Sequence, residues 1–183
     1  MKIAVLVGSL RAESINRQLA RAVQALAPDD WDFDPLPLHE LPLYNQDQDG
    51  APPEPCVQLK RRIEAADALL FVTPEYNRSM PGVLKNAIDI ASRPYGKNSF
   101  AGKPAGVLGA SIGAMGTSMA QQHLRNVLSY LDVPVLRQPE AYIHFRDGLV
   151  DAQGRITDDG TRAFLTKWVQ AYVAFATGGS PTA

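Results

Sequence analysis

Three short stretches carry residue types that could do chemistry. The first is Gly8-Ser9-Leu10-Arg11-Ala12-Glu13-Ser14-Ile15-Asn16-Arg17. A phosphate monoester asks for many donors, one or two positive charges and a helix N-terminus. The hydroxyls of Ser9 and Ser14, the Arg11 guanidinium, the Asn16 amide and the N–H groups of a helix starting at Ile15 meet that demand. The same residues also fit an ordinary helix start, with Ser14 as cap and Arg11 and Arg17 in water. The stretch has one glycine and no Gly-Lys-Ser/Thr. It is therefore neither a Walker A loop nor a Gly-x-Gly-x-x-Gly fingerprint, and ATP hydrolysis and a Rossmann dinucleotide site lose support.

The second stretch is Thr73-Pro74-Glu75-Tyr76-Asn77-Arg78-Ser79-Met80-Pro81-Gly82. Proline stiffens its start. The residues after it offer backbone N–H groups, an aromatic face and an amide, which suit the edge of a flat heterocycle. An exposed turn with Tyr76 as surface packing is the competing reading. The third stretch is Ser111-Ile112-Gly113-Ala114-Met115-Gly116-Thr117. Its glycines allow backbone to approach a planar ligand closely, or serve a flexible connector that needs positive φ.

These stretches need elements to position them. Ile3–Val7, Ala68–Thr73 and Ala105–Ala110 are apolar runs without alternation, as in strands buried on both faces. Helical spacing follows each run: Ile15, Leu19, Val23 and Leu26; Leu84, Ala87, Ile88 and Ala91; Leu124, Val127, Leu128 and Leu131. Pro28 ends the first helix, and Pro81 lies in the first turn of the second. Val57, Leu59, Ile63 and Ala66 suggest another helix, and Phe164, Leu165, Trp168, Val169, Tyr172 and Val173 an amphipathic last one. Trp31–Leu38 reads as an edge strand, because Pro35 and Pro37 cannot donate to a ladder. The segment from Pro42 to Pro55 reads as surface loop. Val133–Leu136 and Ala141–Ile143 are short strand candidates, and Asp147-Gly148 and Gln153-Gly154 are turns. Alternating strands and helices predict a parallel sheet covered on both faces, with ligands at the carboxyl ends of its strands. All three unusual stretches fall there.

Composition narrows the function classes. The chain has 183 residues, 45% of them apolar and 20% charged, with a net charge of −1. That suits one globular domain, here 1–177, with 178–183 as a loose tail. The absent basic excess argues against nucleic acid as partner. One cysteine, Cys56, cannot form a disulfide within the chain, which favours a reducing compartment. Residues 104–124 hold no Asp, Glu, Lys or Arg, yet glycines and polar residues break them into strand, loop and helix. The expectation is a cytoplasmic protein with no membrane partner and no signal peptide. His39, His123 and His144 are scattered without metal spacing, and no metal is expected. Cys56, in a proline-rich loop, is not expected to be catalytic.

Together, Gly8–Asn16, Pro74–Asp89 and Gly109-Ala110-Ser111 with Gly113 resemble the NADPH-dependent FMN reductases of the flavodoxin-like fold. That group includes chromate, quinone and azo-dye reductases. The string Pro-Glu-Tyr-Asn, then Pro-Gly-x-Leu-Lys-Asn-Ala-Ile-Asp, is its most specific part, and the likeness runs from Lys2 to about Ala176. The pattern departs at Ile112 and Thr117, where proline and glycine are more usual. The resemblance implies an α/β, flavodoxin-like fold: a doubly wound five-stranded parallel sheet with helices on both faces. It implies FMN as cofactor, with Ser9, Arg11, Ser14, Ile15 and Asn16 at the phosphate. Pro74, Glu75, Tyr76 and Asn77 would lie along the ring and ribityl chain, and Ser111 and Gly113 would border the ring.

The flavin carries the hydride chemistry in such proteins, so no catalytic side chain is required, and Tyr76 is the residue assigned to the substrate. The implied activity is ping-pong hydride transfer from NADPH or NADH to small-molecule acceptors: quinones, flavins, azo compounds or metal oxyanions such as chromate. A homodimer or homotetramer is implied as well. A flavodoxin-like electron carrier and a non-enzymatic flavin-binding module are the alternatives. A carrier docks by a strongly acidic surface, which a net charge of −1 does not supply.

Overall fold

The computed structural model describes residues 1–179. Five parallel strands form one sheet in the order β2-β1-β3-β4-β5. They are β1 (Lys2–Val7), β2 (Asp32–Pro35), β3 (Ala68–Val72), β4 (Ala105–Ser111) and β5 (Ala141–His144). Five helices connect and cover them: α1 (Ile15–Leu26), α2 (Glu54–Glu64), α3 (Gly82–Ala91), α4 (Ser118–Tyr130) and α5 (Asp159–Ala176). This is the flavodoxin-like strand order, with its switch point between β1 and β3.

The buried runs divide by alternation. Val5, Leu70, Val72 and Leu108 face one core, filled by Leu19 and Val23 of α1 and Leu165 and Trp168 of α5. Leu6, Leu69, Phe71 and Val107 face the other, filled by Ile63, Leu84, Ile88 and Leu124 of α2, α3 and α4. Successive side chains point to opposite faces, so a strand between two helical layers must be apolar at every position. Tyr172 crosses one core and donates its hydroxyl to the Leu69 carbonyl at 2.7 Å. Burial pushes that phenol far above the ordinary tyrosine range.

The edge strand is shorter than the sequence suggests. Only Asp32–Pro35 of Trp31–Leu38 pairs, along β1. Val133–Leu136 forms no strand. Pro134 has no N–H to give, and the segment makes a single bridge, Val135 to Ala105. The loop from Pro42 ends at Pro53, because Glu54 and Pro55 already belong to α2. Gly148 and Gly154 sit in the two expected turns with φ near +79°. Of the expected tail, residues 180–183 lie outside the described residues.

Candidate active site

The carboxyl ends of β1, β3 and β4 carry the three stretches side by side. Gly8 donates its N–H to Val72 at 2.9 Å, and Thr73 donates to Leu108 at 3.0 Å. β1 and β3 thus end level with Leu108, and β4 runs on to Ser111. Gly109 makes the convergence sterically feasible: a methyl group there would collide with the Thr73 carbonyl oxygen and the Thr117 hydroxyl.

In the first loop Ser14 is the N-cap of α1, and its oxygen accepts the Arg17 N–H at 3.2 Å. The N–H groups of Ile15 and Asn16 have no acceptor within the helix and open toward the loop. Ser9 is buried, and its carbonyl takes a bond from the Arg17 guanidinium at 3.3 Å. Arg11 is exposed and enters no hydrogen bond or ion pair among the described residues. Asn16 departs from the expected phosphate cradle. Its side-chain amide does not converge on the loop with the other donors. It donates to the Ala110 carbonyl and accepts the Ala110 N–H, both at 2.9 Å. Burial of two backbone groups at the end of β4 claims that amide, which leaves only its backbone N–H for a ligand.

In the second loop Pro74 is buried and Tyr76 is 49% exposed. Tyr76 and Ser79 exchange backbone bonds of 2.9 and 3.0 Å around Asn77 and Arg78, whose φ values are 51° and 63°. Two positive φ values make this a type I′ turn. The Tyr76 N–H is therefore engaged inside the turn, and the donors left to meet a ring edge are those of Glu75, Asn77 and Arg78. The Glu75 carboxylate points elsewhere. It accepts the N–H groups of Met119 at 3.0 Å and Ala120 at 3.1 Å, and so caps α4 from outside that helix.

In the third loop the Ser111 hydroxyl accepts the Gly113 N–H at 3.1 Å, and Gly113 accepts from Gly116 at 3.0 Å. Positive φ falls on Gly116, at 58°, and not on Gly113. Ile112 and Met115 project into solvent, 80% and 68% exposed. Thr117, at a position where glycine is usual, is fully buried and accepts the Gln121 side chain at 2.9 Å. A cavity of about 440 Å³ adjoins the second loop and α4, lined by Asn77, Arg78, Ser118, Met119, His123 and Tyr142. His123 is exposed, and its Nδ1 lies 3.0 Å from the Ser79 hydroxyl. Burial, with a bond to Glu140, raises the Tyr142 phenol above its ordinary range. Cys56 lines a different cavity, and burial raises its thiol, which disfavours a reactive thiolate there.

The hydrogen-bond partners of Ala110, Thr117 and Gln121 were not legible in the sequence. Their roles depend on partners brought together by the sheet, and no local spacing announces them.

An α/β sheet of this order, with three loops gathered at the carboxyl ends of β1, β3 and β4, defines a flavodoxin-like fold. The flavodoxin of Pseudomonas aeruginosa shares the fold at a TM-score of 0.58, 19% identity, covering 97% of this chain and 100% of that one. Residues 1–147 match the model of the NADPH-dependent FMN reductases, and the chain belongs to that family. It is an FMN-dependent oxidoreductase. It is similar to a 2-hydroxy-1,4-benzoquinone reductase of Burkholderia sp, 51% identical over 96% of both chains. FerB, a flavoenzyme NAD(P)H:(acceptor) oxidoreductase of Paracoccus denitrificans, superposes with a TM-score of 0.93 at 45% identity over 97% of both chains.

Proposed function

We propose that the protein is an NAD(P)H:quinone oxidoreductase in which residues 1–177 form one FMN-binding unit. The observation that carries the reading is the set of unclaimed donors at the first loop: the Ser9 and Ser14 hydroxyls, the Ile15 and Asn16 N–H groups, and Arg11. Together they fit a dianionic phosphate, with charge assistance from one guanidinium and a helix N-terminus. Bound FMN would supply the hydride chemistry between nicotinamide and acceptor.

The chain's own residues bind, orient and shield. Asn16 holds the start of α1 against β4, and Glu75 holds the second loop against α4, so all three loops keep one geometry before ligands arrive. Pro74 and the N–H groups of Glu75 and Asn77 would run along the ring edge. Ser111 and Gly113 would border it from the other side. Tyr76, Ile112 and Met115 give the open side an apolar rim suited to flat, uncharged rings. The similarity to a 2-hydroxy-1,4-benzoquinone reductase supports quinones as the principal acceptors. Flavins, azo compounds and chromate are secondary ones. No helix among the described residues is long and apolar enough to cross a membrane. A cytoplasmic homodimer or homotetramer, alternating between nicotinamide and acceptor, completes the proposal.

The test is direct. The purified protein should absorb as a flavoprotein, release FMN on heating, and oxidise NADPH or NADH when a quinone is present. Release of FAD, or a bound flavin with no NAD(P)H oxidation against a quinone panel, overturns the reading.

A further inference from the structure

Arg78 occupies a position that its backbone disfavours. It is the second central residue of the Tyr76–Ser79 turn, with φ 63°, where a type I′ turn favours glycine. Left-handed backbone at a residue with a long side chain is uncommon, and persists where the surroundings impose it. The turn is indeed imposed, by the two Tyr76–Ser79 backbone bonds. Glycine would satisfy it with less strain, so the turn alone gives no reason for arginine.

The side chain has no structural employment either. Arg78 is exposed and enters no hydrogen bond or ion pair among the described residues. The carboxylate three residues earlier, Glu75, is held by Met119 and Ala120 and does not neutralise it. Arg78 instead lines the 440 Å³ cavity beside the second loop. That volume falls within the range of small-molecule sites. The cavity is also lined by Met119, Tyr142 and His123, a soft thioether and two rings, with His123 beside Ser79 of the turn.

One unpaired cation, on a backbone held by the turn and lining a partly aromatic cavity, is the complement of a flat ring bearing one negative oxygen. We infer that Arg78 is a specificity-determining residue that selects anionic acceptors, the ionised hydroxyquinones, over neutral quinones of the same size. A hydroxyl conjugated through the ring to a carbonyl is a vinylogous carboxylic acid, and it is ionised at neutral pH. The inference rests on the quinone-reductase reading and deepens it.

The experiment uses the FMN-loaded protein with 2-hydroxy-1,4-naphthoquinone and 1,4-naphthoquinone as paired probes. The measured quantity is the ratio of their kcat/KM values in wild type, Arg78→Gln, Arg78→Gly and Arg78→Lys. Loss of one charge-assisted bond predicts a roughly 10-fold or larger fall in that ratio for the Gln and Gly variants. Lysine should retain most of it, and added salt should shrink the wild-type ratio. Equilibrium binding of the hydroxyquinone to the oxidised protein, followed by its visible band, should weaken in parallel.

A ratio within about twofold of wild type in the Gln variant overturns the inference, since a lost charged contact exceeds that. So does a loss in Gln that Gly restores, which would assign the effect to the turn. A loss confined to the KM for NADPH relative to NADH would move Arg78 to the dinucleotide phosphate. If wild type turned over neither quinone, the quinone-reductase reading would fail, and the binding measurement would still decide Arg78.

Discussion

The side chain of Asn16 grips the backbone of Ala110 by both of its hydrogen-bonding groups, one bond given and one taken, each 2.9 Å long. The two residues are 94 positions apart. One starts the helix of the first loop, and the other ends the strand that feeds the third. The clamp fixes their relative height and satisfies two buried backbone groups.

Asn16→Ala should therefore be among the more damaging single changes near the site. It leaves the Ala110 N–H and carbonyl buried without partners, at about 1–3 kcal/mol each. For a chain of this size the melting temperature should fall by about 5–15 °C. Asn16→Asp keeps an acceptor but loses the donor, and should fall between the two. Thermal unfolding of the FMN-loaded and FMN-free proteins measures both effects. An unchanged melting temperature for the alanine variant would show that the clamp does not contribute.

Arg11 should behave in the opposite way. It sits on an exposed loop without protein partners, so Arg11→Ala should leave the fold intact. Affinity for FMN should drop by about 10–100-fold with the loss of a charge-assisted bond. Affinity for riboflavin, which lacks the phosphate, should hardly change. Flavin fluorescence titrations separate the two. Equal weakening of both ligands would remove Arg11 from the phosphate site.

How much of this site was legible in the chain follows from where each partner lies. β1, β3 and β4 read clearly because burial on both faces removes polar residues from every position. The loops read clearly because their residue types are unusual and end those same strands. What did not read was the engagement of each side chain. Asn16 and Glu75 look like ligand contacts from sequence, and both turn to backbone groups distant in the chain. Glu75 meets its partners 44 and 45 residues away. Spacing encodes neighbours along a helix or strand, whereas these contacts arise from the packing of separate βα units. Val133–Leu136 failed for a related reason: apolar content suggests a strand, but Pro134 interrupts the donors a ladder needs.

The pair of Asp34 and Arg62 sets a pH dependence away from the site. Arg62 Nε donates to Asp34 at 3.1 Å, and the guanidinium holds the carboxyl below the usual carboxylate range. A carboxyl depressed in the folded state stabilises fully above its unfolded pKa, about 3.9. That stabilisation is lost as pH falls through the folded value. Asp34→Asn should lower the melting temperature at pH 7, and the gap to wild type should begin to narrow below about pH 4 and close as pH falls through the lower folded value. Melting temperatures across an acid series test this. A gap that does not narrow as the series goes below about pH 4 would point to lost packing in place of lost charge.

Tyr76 tests how the open side of the site is used. Its backbone is fixed by the two bonds to Ser79, so Tyr76→Ala should keep the turn and the flavin content. Its ring is half exposed at the loop rim and makes no side-chain hydrogen bond among the described residues. The variant should thus change the Michaelis constant for quinones more than it changes bound FMN. If flavin content and stability fell together, Tyr76 would be packing the loop and nothing more. The wild-type kinetics carry the companion expectation. Where nicotinamide and acceptor occupy one face in turn, double-reciprocal plots at several fixed acceptor concentrations should be parallel. Intersecting lines would place both substrates on the protein at once. The apolar rim of Tyr76, Ile112 and Met115 would then have to serve two ligands side by side.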